Sequence, residues 1–222
     1  MRAALATAGL ALLVAGCSSS GSGNTNYSQF YQLMRQSLSA SFGNIRVTRD
    51  QAAAVSYASM GYSLDGGNQA MLILATDSGG ELLWTSSAHV VIVTRQGRIV
   101  RTLGLGNDLS SLTTRDNIPP PSPAAAIQAP FTSNRLQDFP DLGLYGVAIS
   151  CRAQMVGRQS IKILGQAVPT VRIDESCRGA TPDWSFTDNF WVDAESGLVW
   201  RSRQHVHPKG GAVETEIFRP PG

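Results

Sequence analysis

The chain has 222 residues, with 18 lysines and arginines against 16 aspartates and glutamates, a formal net charge of +2 and a charged fraction of 15%. That balance lacks the basic excess a protein needs to grip the nucleic-acid backbone, and it excludes that class of partner. Glycine is plentiful at 22 residues, and with the low charge density this suits an extracytoplasmic β protein.

Met1-Arg2, an apolar run over 3–15 and the small residues Val14-Ala15-Gly16 before Cys17 have the form of a bacterial lipoprotein leader. The run is short of the ~20 residues that span a bilayer. It predicts removal of 1–16 and acylation of Cys17; an ordinary secretory leader that happens to contain a cysteine is the alternative. Buried methylenes contribute ~0.8 kcal/mol each, so two or three acyl chains anchor a protein firmly where a single one holds only marginally. Ser18 at the next position, rather than aspartate, favours the outer membrane with the domain facing the periplasm. Residues 17–26 are Gly/Ser-rich and read as a flexible tether. Residues 27–222 then form a single β-rich domain.

Phe30, Leu33, Met34 and Leu38 recur at close to helical spacing, which predicts an amphipathic helix over 27–42. Thr48-Arg49-Asp50-Gln51 has capping-box form and predicts a short helix over 52–55. The period then changes to that of strands, at 57–64, 69–76 and 81–86. Asp65-Gly66-Gly67-Asn68 and Asp77-Ser78-Gly79-Gly80 supply the turns between them. Residues 90–93 and 99–103 form a hairpin about Gln96-Gly97, with Arg95 facing Arg98, Val93 facing Val100, Ile92 facing Arg101 and Val91 facing Thr102. Both faces of that hairpin are largely apolar, which places it at the centre of a sheet.

The prolines at 119–121 and 123 break the pattern, and 118–130 reads as a crossover between two halves of one domain; a true domain boundary is the alternative. Strands resume at 145–155, where Tyr145, Val147, Ile149, Cys151, Ala153 and Met155 share one face. Val171, Ile173, Glu175 and Cys177 share one parity in a later strand. With Cys17 acylated, Cys151 and Cys177 are left as a pair that an oxidising compartment would join, and two buried free thiols are the alternative. Strands at 186–192, 198–207 and 212–219 complete an antiparallel meander, with a turn at 193–197. The fold class is all-β with one or two N-terminal helices, the meander forming a sandwich or an open half-barrel.

The hairpin reading Thr94-Arg95-Gln96-Gly97-Arg98-Ile99-Val100-Arg101-Thr102-Leu103-Gly104-Leu105, preceded by the Trp84 segment, resembles the YjbF/GfcB-type group 4 capsule polysaccharide lipoproteins. Ser56-Tyr57-Ala58-Ser59 matches a family position often written Pro-Tyr-Ala-Ser, with Ser56 in place of the proline. The resemblance runs from about Ser56 to Phe218 and is most specific over 70–84 and 94–105. It implies a β-rich outer-membrane lipoprotein encoded with exopolysaccharide secretion genes, and it brings no catalytic residues. The stretch 191–200 also resembles the C-terminal hairpin of LolA-type half-barrels, which hold acyl chains.

Four sets of residues invite a chemical reading. Asp77-Ser78-Gly79-Gly80 echoes the nucleophile segment of trypsin-like proteases, but no histidine or aspartate stands upstream in the expected order, and a hairpin turn explains it. His205 and His207 share a strand face with Arg201 and Arg203. Pairing about Lys209-Gly210 sets His205 opposite Glu214 and Arg203 opposite Glu216, a self-neutralised stripe rather than a metal site. Arg95, Arg98 and Arg101 lack a carboxylate in the local pairing and stand as candidate contacts for an anionic partner, with a solvated turn tip as the plainer alternative. Among Trp84, Trp184, Trp191 and Trp200, alternation leaves Trp191 the most exposed, making it the candidate for stacking on a sugar ring.

These observations predict a non-enzymatic outer-membrane accessory in capsule or exopolysaccharide export. Its partners would be the membrane, through the acyl chains, and polysaccharide-export proteins or an acidic polysaccharide. No cofactor is implied. A half-barrel carrier of lipid or lipoprotein acyl chains is the second reading and requires an apolar cavity of several hundred Å3. A hydrolase comes third, since no nucleophile–base set emerges.

Overall fold

The computed structural model describes residues 45–114 and 130–222. The expected leader, Cys17, the tether, the 27–42 helix and all of the crossover but Pro130 lie outside the described residues. The first element is a single helical turn, α1 (Arg49–Ala53), begun by the expected capping box: the Thr48 hydroxyl accepts from the Gln51 N–H while the Gln51 side chain accepts from the Thr48 N–H.

Apart from a short 3-10 helix at Pro140–Leu142, the described residues after it are strand and loop: β1 (Ser59–Leu64), β2 (Ala70–Ser78), β3 (Glu81–Thr85), β4 (Val91–Arg95), β5 (Arg98–Leu103), β6 (Ser111–Thr114), β7 (Phe131–Phe139), β8 (Leu144–Ile163), β9 (Gln166–Gly179), β10 (Trp184–Val192), β11 (Val199–His205) and β12 (Ala212–Arg219). They form one antiparallel 12-stranded sheet in the order β5-β4-β3-β2-β1-β12-β11-β10-β9-β8-β7-β6. Its two end strands, β5 and β6, follow one another in the chain. The loop between them folds back so that the Thr102 N–H donates to the Leu109 carbonyl at 2.8 Å. Asp108 fastens the same loop by accepting from the Thr102 hydroxyl and the Gly104 and Leu105 N–H groups. The sheet is thus rolled into a nearly closed barrel.

Period-two alternation decides which side chains enter the barrel. Along β8, Val147, Ile149, Cys151 and Ala153 are buried and Ala148, Ser150, Arg152 and Gln154 are exposed; along β9, Ile173, Glu175 and Cys177 are buried together. Tyr145 and Met155, expected on the same core face, are exposed, each beside an irregularity in the β8 ladders. Cys151 and Cys177 are directly paired across the two strands and form a disulfide. Leu72, Trp84, Ile92, Ile99, Ile149 and Val213 lie in the main core, and Phe190 and Val192 in a smaller one.

Two register expectations and one of placement are corrected. The β4–β5 hairpin turns as expected, with Gln96 and Gly97 at φ of 51° and 79° and Arg95 opposite Arg98. A bulge between Val93 and Thr94 then sets Val93 opposite Arg101 and Ile92 opposite Thr102. That hairpin ends the sheet rather than occupying its centre; its two apolar faces reflect the closure of the barrel. On β11 and β12, Arg201 pairs with Glu216, Arg203 with Glu214 and His205 with Ala212, two residues from the expected register. Asp65 fixes the start of β12: its N–H donates to the Ala212 carbonyl and its carboxylate accepts the Ala212 N–H, and residues 206–211 become a longer loop.

Candidate functional site

Polar residues cross the inside of the barrel. Glu175 (β9) receives both terminal nitrogens of Arg98 (β5), each at 2.6 Å, and is also bonded by Arg135 (β7), which lies 3.8 Å from Asp188 (β10). All four are almost completely buried, and two guanidinia against two carboxylates leave the cluster neutral. Burial by itself would raise the Glu175 carboxyl, but the two guanidinia outweigh it and hold it at about 2. Arg98 also lies 5.2 Å from the Phe190 ring centre. Beside the cluster, the Gln204 side chain accepts the Ile99 N–H and donates to the Gly97 carbonyl, tying β11 to β5 through the interior. This network joins strands distant in the sheet and holds the barrel closed.

It also redefines the three arginines. Arg98 is turned inward and consumed by Glu175, so it meets no external anion. Arg95 is paired with Glu81, its register partner on β3, a neighbour that inspection of the hairpin alone does not include. Arg101 alone of the three is exposed without a carboxylate partner among the described residues, and it stands apart from the others on β5.

The histidines part company too. His205 faces Asp188 at 3.2 Å, while His207 leaves the strand and is buried against Phe139, its Nδ1 accepting the Lys209 N–H and its Nε2 directed at Asp141. Nδ1 as acceptor puts the ring proton on Nε2. Cys151, Cys177 and Glu175 bring three ligand-type atoms together, but the sulfurs are bonded to one another and present no thiolate to a metal. Gly79 and Gly80, at φ of 61° and 80°, make the Asp77–Gly80 segment the β2–β3 turn.

Outside the barrel, the long β8–β9 hairpin runs beyond the end of β10 as an arm. A bulge between Met155 and Gly157 bends it, and Leu164-Gly165 closes its tip. Three hydrogen bonds hold the arm: Arg49 to the Leu164 carbonyl at 2.9 Å, Arg201 to the Lys162 carbonyl at 2.7 Å, and the Trp191 indole N–H to Gln159 at 2.8 Å. Beneath it lies a groove of about 560 Å3, lined by Arg46, Thr48, Arg49 and Gln69 from the N-terminal side, by Lys162 and Leu164 from the arm, and by Trp191, Arg201, Arg203, Glu214 and Glu216 from the sheet.

Trp191 is half-buried here and does not offer a free ring face. Its register partners on either side, Arg172 of β9 and Arg201 of β11, lie 5.5 and 5.8 Å from the ring centre. The indole therefore orients two guanidinia and the arm. Trp84 is fully buried, its N–H donated to Thr94. Trp191, the tryptophan that alternation marks for exposure, is half-buried like Trp184 and Trp200, and alternation gives no sign of Arg46, Arg49 and Lys162, which only the bent arm brings together.

The comparisons with known proteins agree with one another. The family model described as group 4 capsule polysaccharide lipoprotein matches residues 35–218. The uncharacterized lipoprotein GfcB of Escherichia coli K12 is 25% identical over 212 residues, covering 95% of each chain. The uncharacterized lipoprotein YjbF of the same organism is 25% identical over 176 residues, covering 79% of this chain and 81% of the relative. The crystal structure of the hypothetical lipoprotein YmcC of E. coli K12 superposes with a TM-score of 0.69 at 25% identity, over 79% of this chain and 90% of that one.

Proposed function

Because the chain belongs to the group 4 capsule polysaccharide lipoprotein family, we propose that it is a non-enzymatic accessory in capsule or exopolysaccharide export, anchored in the outer membrane by acyl chains on Cys17, facing the periplasm and acting by binding. One observation carries this reading: the barrel interior is taken up by packing and a neutral ion network, while a preformed groove rich in cations is turned outward. No helix among the described residues is long and apolar enough to cross a membrane. Deletion of the gene, scored for surface polysaccharide, tests the role. Polysaccharide should fall and return when the gene is restored; an unchanged amount refutes it.

A cleft of about 430 Å3 favours a second reading, the acyl-chain carrier. It reaches Met60, Trp84 and Ile217 between the 193–198 turn and Pro221. Displacement of a fluorescent fatty acid by palmitate, lost on Met60→Asp in a folded variant, would support that reading; no uptake of the probe dismisses it.

A further inference from the structure

The groove beneath the arm holds more cations than it pairs. Glu214 and Glu216 are engaged by Arg203 and Arg201 at 3.7 and 2.5 Å, and Gln69 donates a further bond to Glu216. Arg46, Arg49 and Lys162 bring three more positive charges to the same lining, and none of them has a carboxylate partner among the described residues. In a chain whose net charge is only +2 this is a local concentration. Cations gathered on one concave lining focus a positive potential and attract an anion.

The shape fits an extended chain rather than a small ion. At about 560 Å3 the groove falls within the ~300–1,000 Å3 of ligand sites and has room for more than one sugar ring. Its walls are already joined through Arg49, Arg201 and Trp191, so little ordering accompanies binding. The exposed Thr48 adds a hydroxyl suited to sugar hydroxyls. Two guanidinia already lie over the Trp191 ring, which disfavours nucleic acid, whose bases need open aromatic faces for stacking.

We infer that this groove is a binding site for an acidic polysaccharide, its sugar carboxylates paired with Arg46, Arg49 and Lys162 and its hydroxyls hydrogen bonded along the polar lining. The inference rests on the export role proposed above and names the ligand class of that role.

Calorimetry of the full-length chain in detergent tests it, with an oligouronate hexasaccharide, a neutral glucan hexasaccharide and short-chain polyphosphate as probes. The oligouronate should bind saturably and more weakly as salt rises, and the glucan should not bind. Arg46→Gln combined with Lys162→Gln should weaken the oligouronate by about tenfold or more with an unchanged thermal midpoint, because both side chains are exposed and their charge-assisted bonds are lost. Arg101→Gln should leave affinity intact. Failure of the oligouronate to bind, equal binding of glucan or polyphosphate, or a loss that follows Arg101 instead of the groove pair would each overturn the inference. If deletion of the gene lowers surface polysaccharide but the oligouronate does not bind, the groove assignment falls and the export role stands. If the oligouronate binds but deletion changes nothing, the export role falls instead.

Discussion

Glu175→Gln removes one carboxylate from a buried set of two guanidinia and two carboxylates. Breaking a buried ion network from one side costs about 3–5 kcal/mol, and urea unfolding at neutral pH should show a loss of that size. The same group sets an acid dependence. Its folded-state pKa of about 2 lies below the ordinary 4.5, so its contribution is fully present above 4.5 and is lost as pH falls toward 2. At 1.36 kcal/mol per pH unit the loss amounts to about 3 kcal/mol. A pH series of unfolding curves should show this fall in the wild type and a flatter one in Glu175→Gln. Asp138 and Asp193, lowered mainly by the N–H groups of Gly146 and Ser196 and only partly buried, contribute the smaller remainder. Gly97 answers to sterics. At φ 79° it lies where a Cβ would stand 2.3 Å from Val199, so Gly97→Ala should destabilise by about 1–3 kcal/mol in the same assay.

Among elements, the β8–β9 hairpin carries two separable devices. The Cys151–Cys177 disulfide closes a loop of 26 residues, and its replacement by a pair of serines should cost about 3–4 kcal/mol by the chain-entropy account, read as a lower thermal midpoint. The arm beyond it depends on Trp191. Trp191→Phe keeps a ring between Arg172 and Arg201 but removes the bond to Gln159. Amide exchange should quicken over 158–170 while the midpoint moves little; unchanged exchange would show that the arm is held otherwise. Alternation and turn chemistry made most of these elements legible in the sequence, from the capping box at Thr48 to the positive-φ Gln96-Gly97 turn. The β7 strand was missed beside the proline-rich stretch. Glu175 was visible on a core-facing parity, and a buried carboxylate requires a cation, but nothing local pairs it with Arg98 or Arg135, since those contacts cross the barrel. The groove was illegible for the same reason: its cations come from the segment before α1, the tip of a bent arm and β11, and meet only after the sheet has rolled.

At the scale of the whole molecule, closure explains the division of labour. The sheet meets itself through the Thr102–Leu109 contact and is nearly closed, and its interior is given to packing and a neutral ion network. Recognition is therefore left to the outer surface, where the one bent hairpin raises a wall over the sheet. On this account the protein holds polysaccharide and leaves its bonds intact. Size-exclusion chromatography of the full-length chain mixed with the cell's own surface polysaccharide tests both halves in one trace. The account predicts that the protein moves to the elution volume of the polymer while the polymer peak stays where it was. Protein eluting alone, or a polymer peak shifted to smaller size, would contradict it.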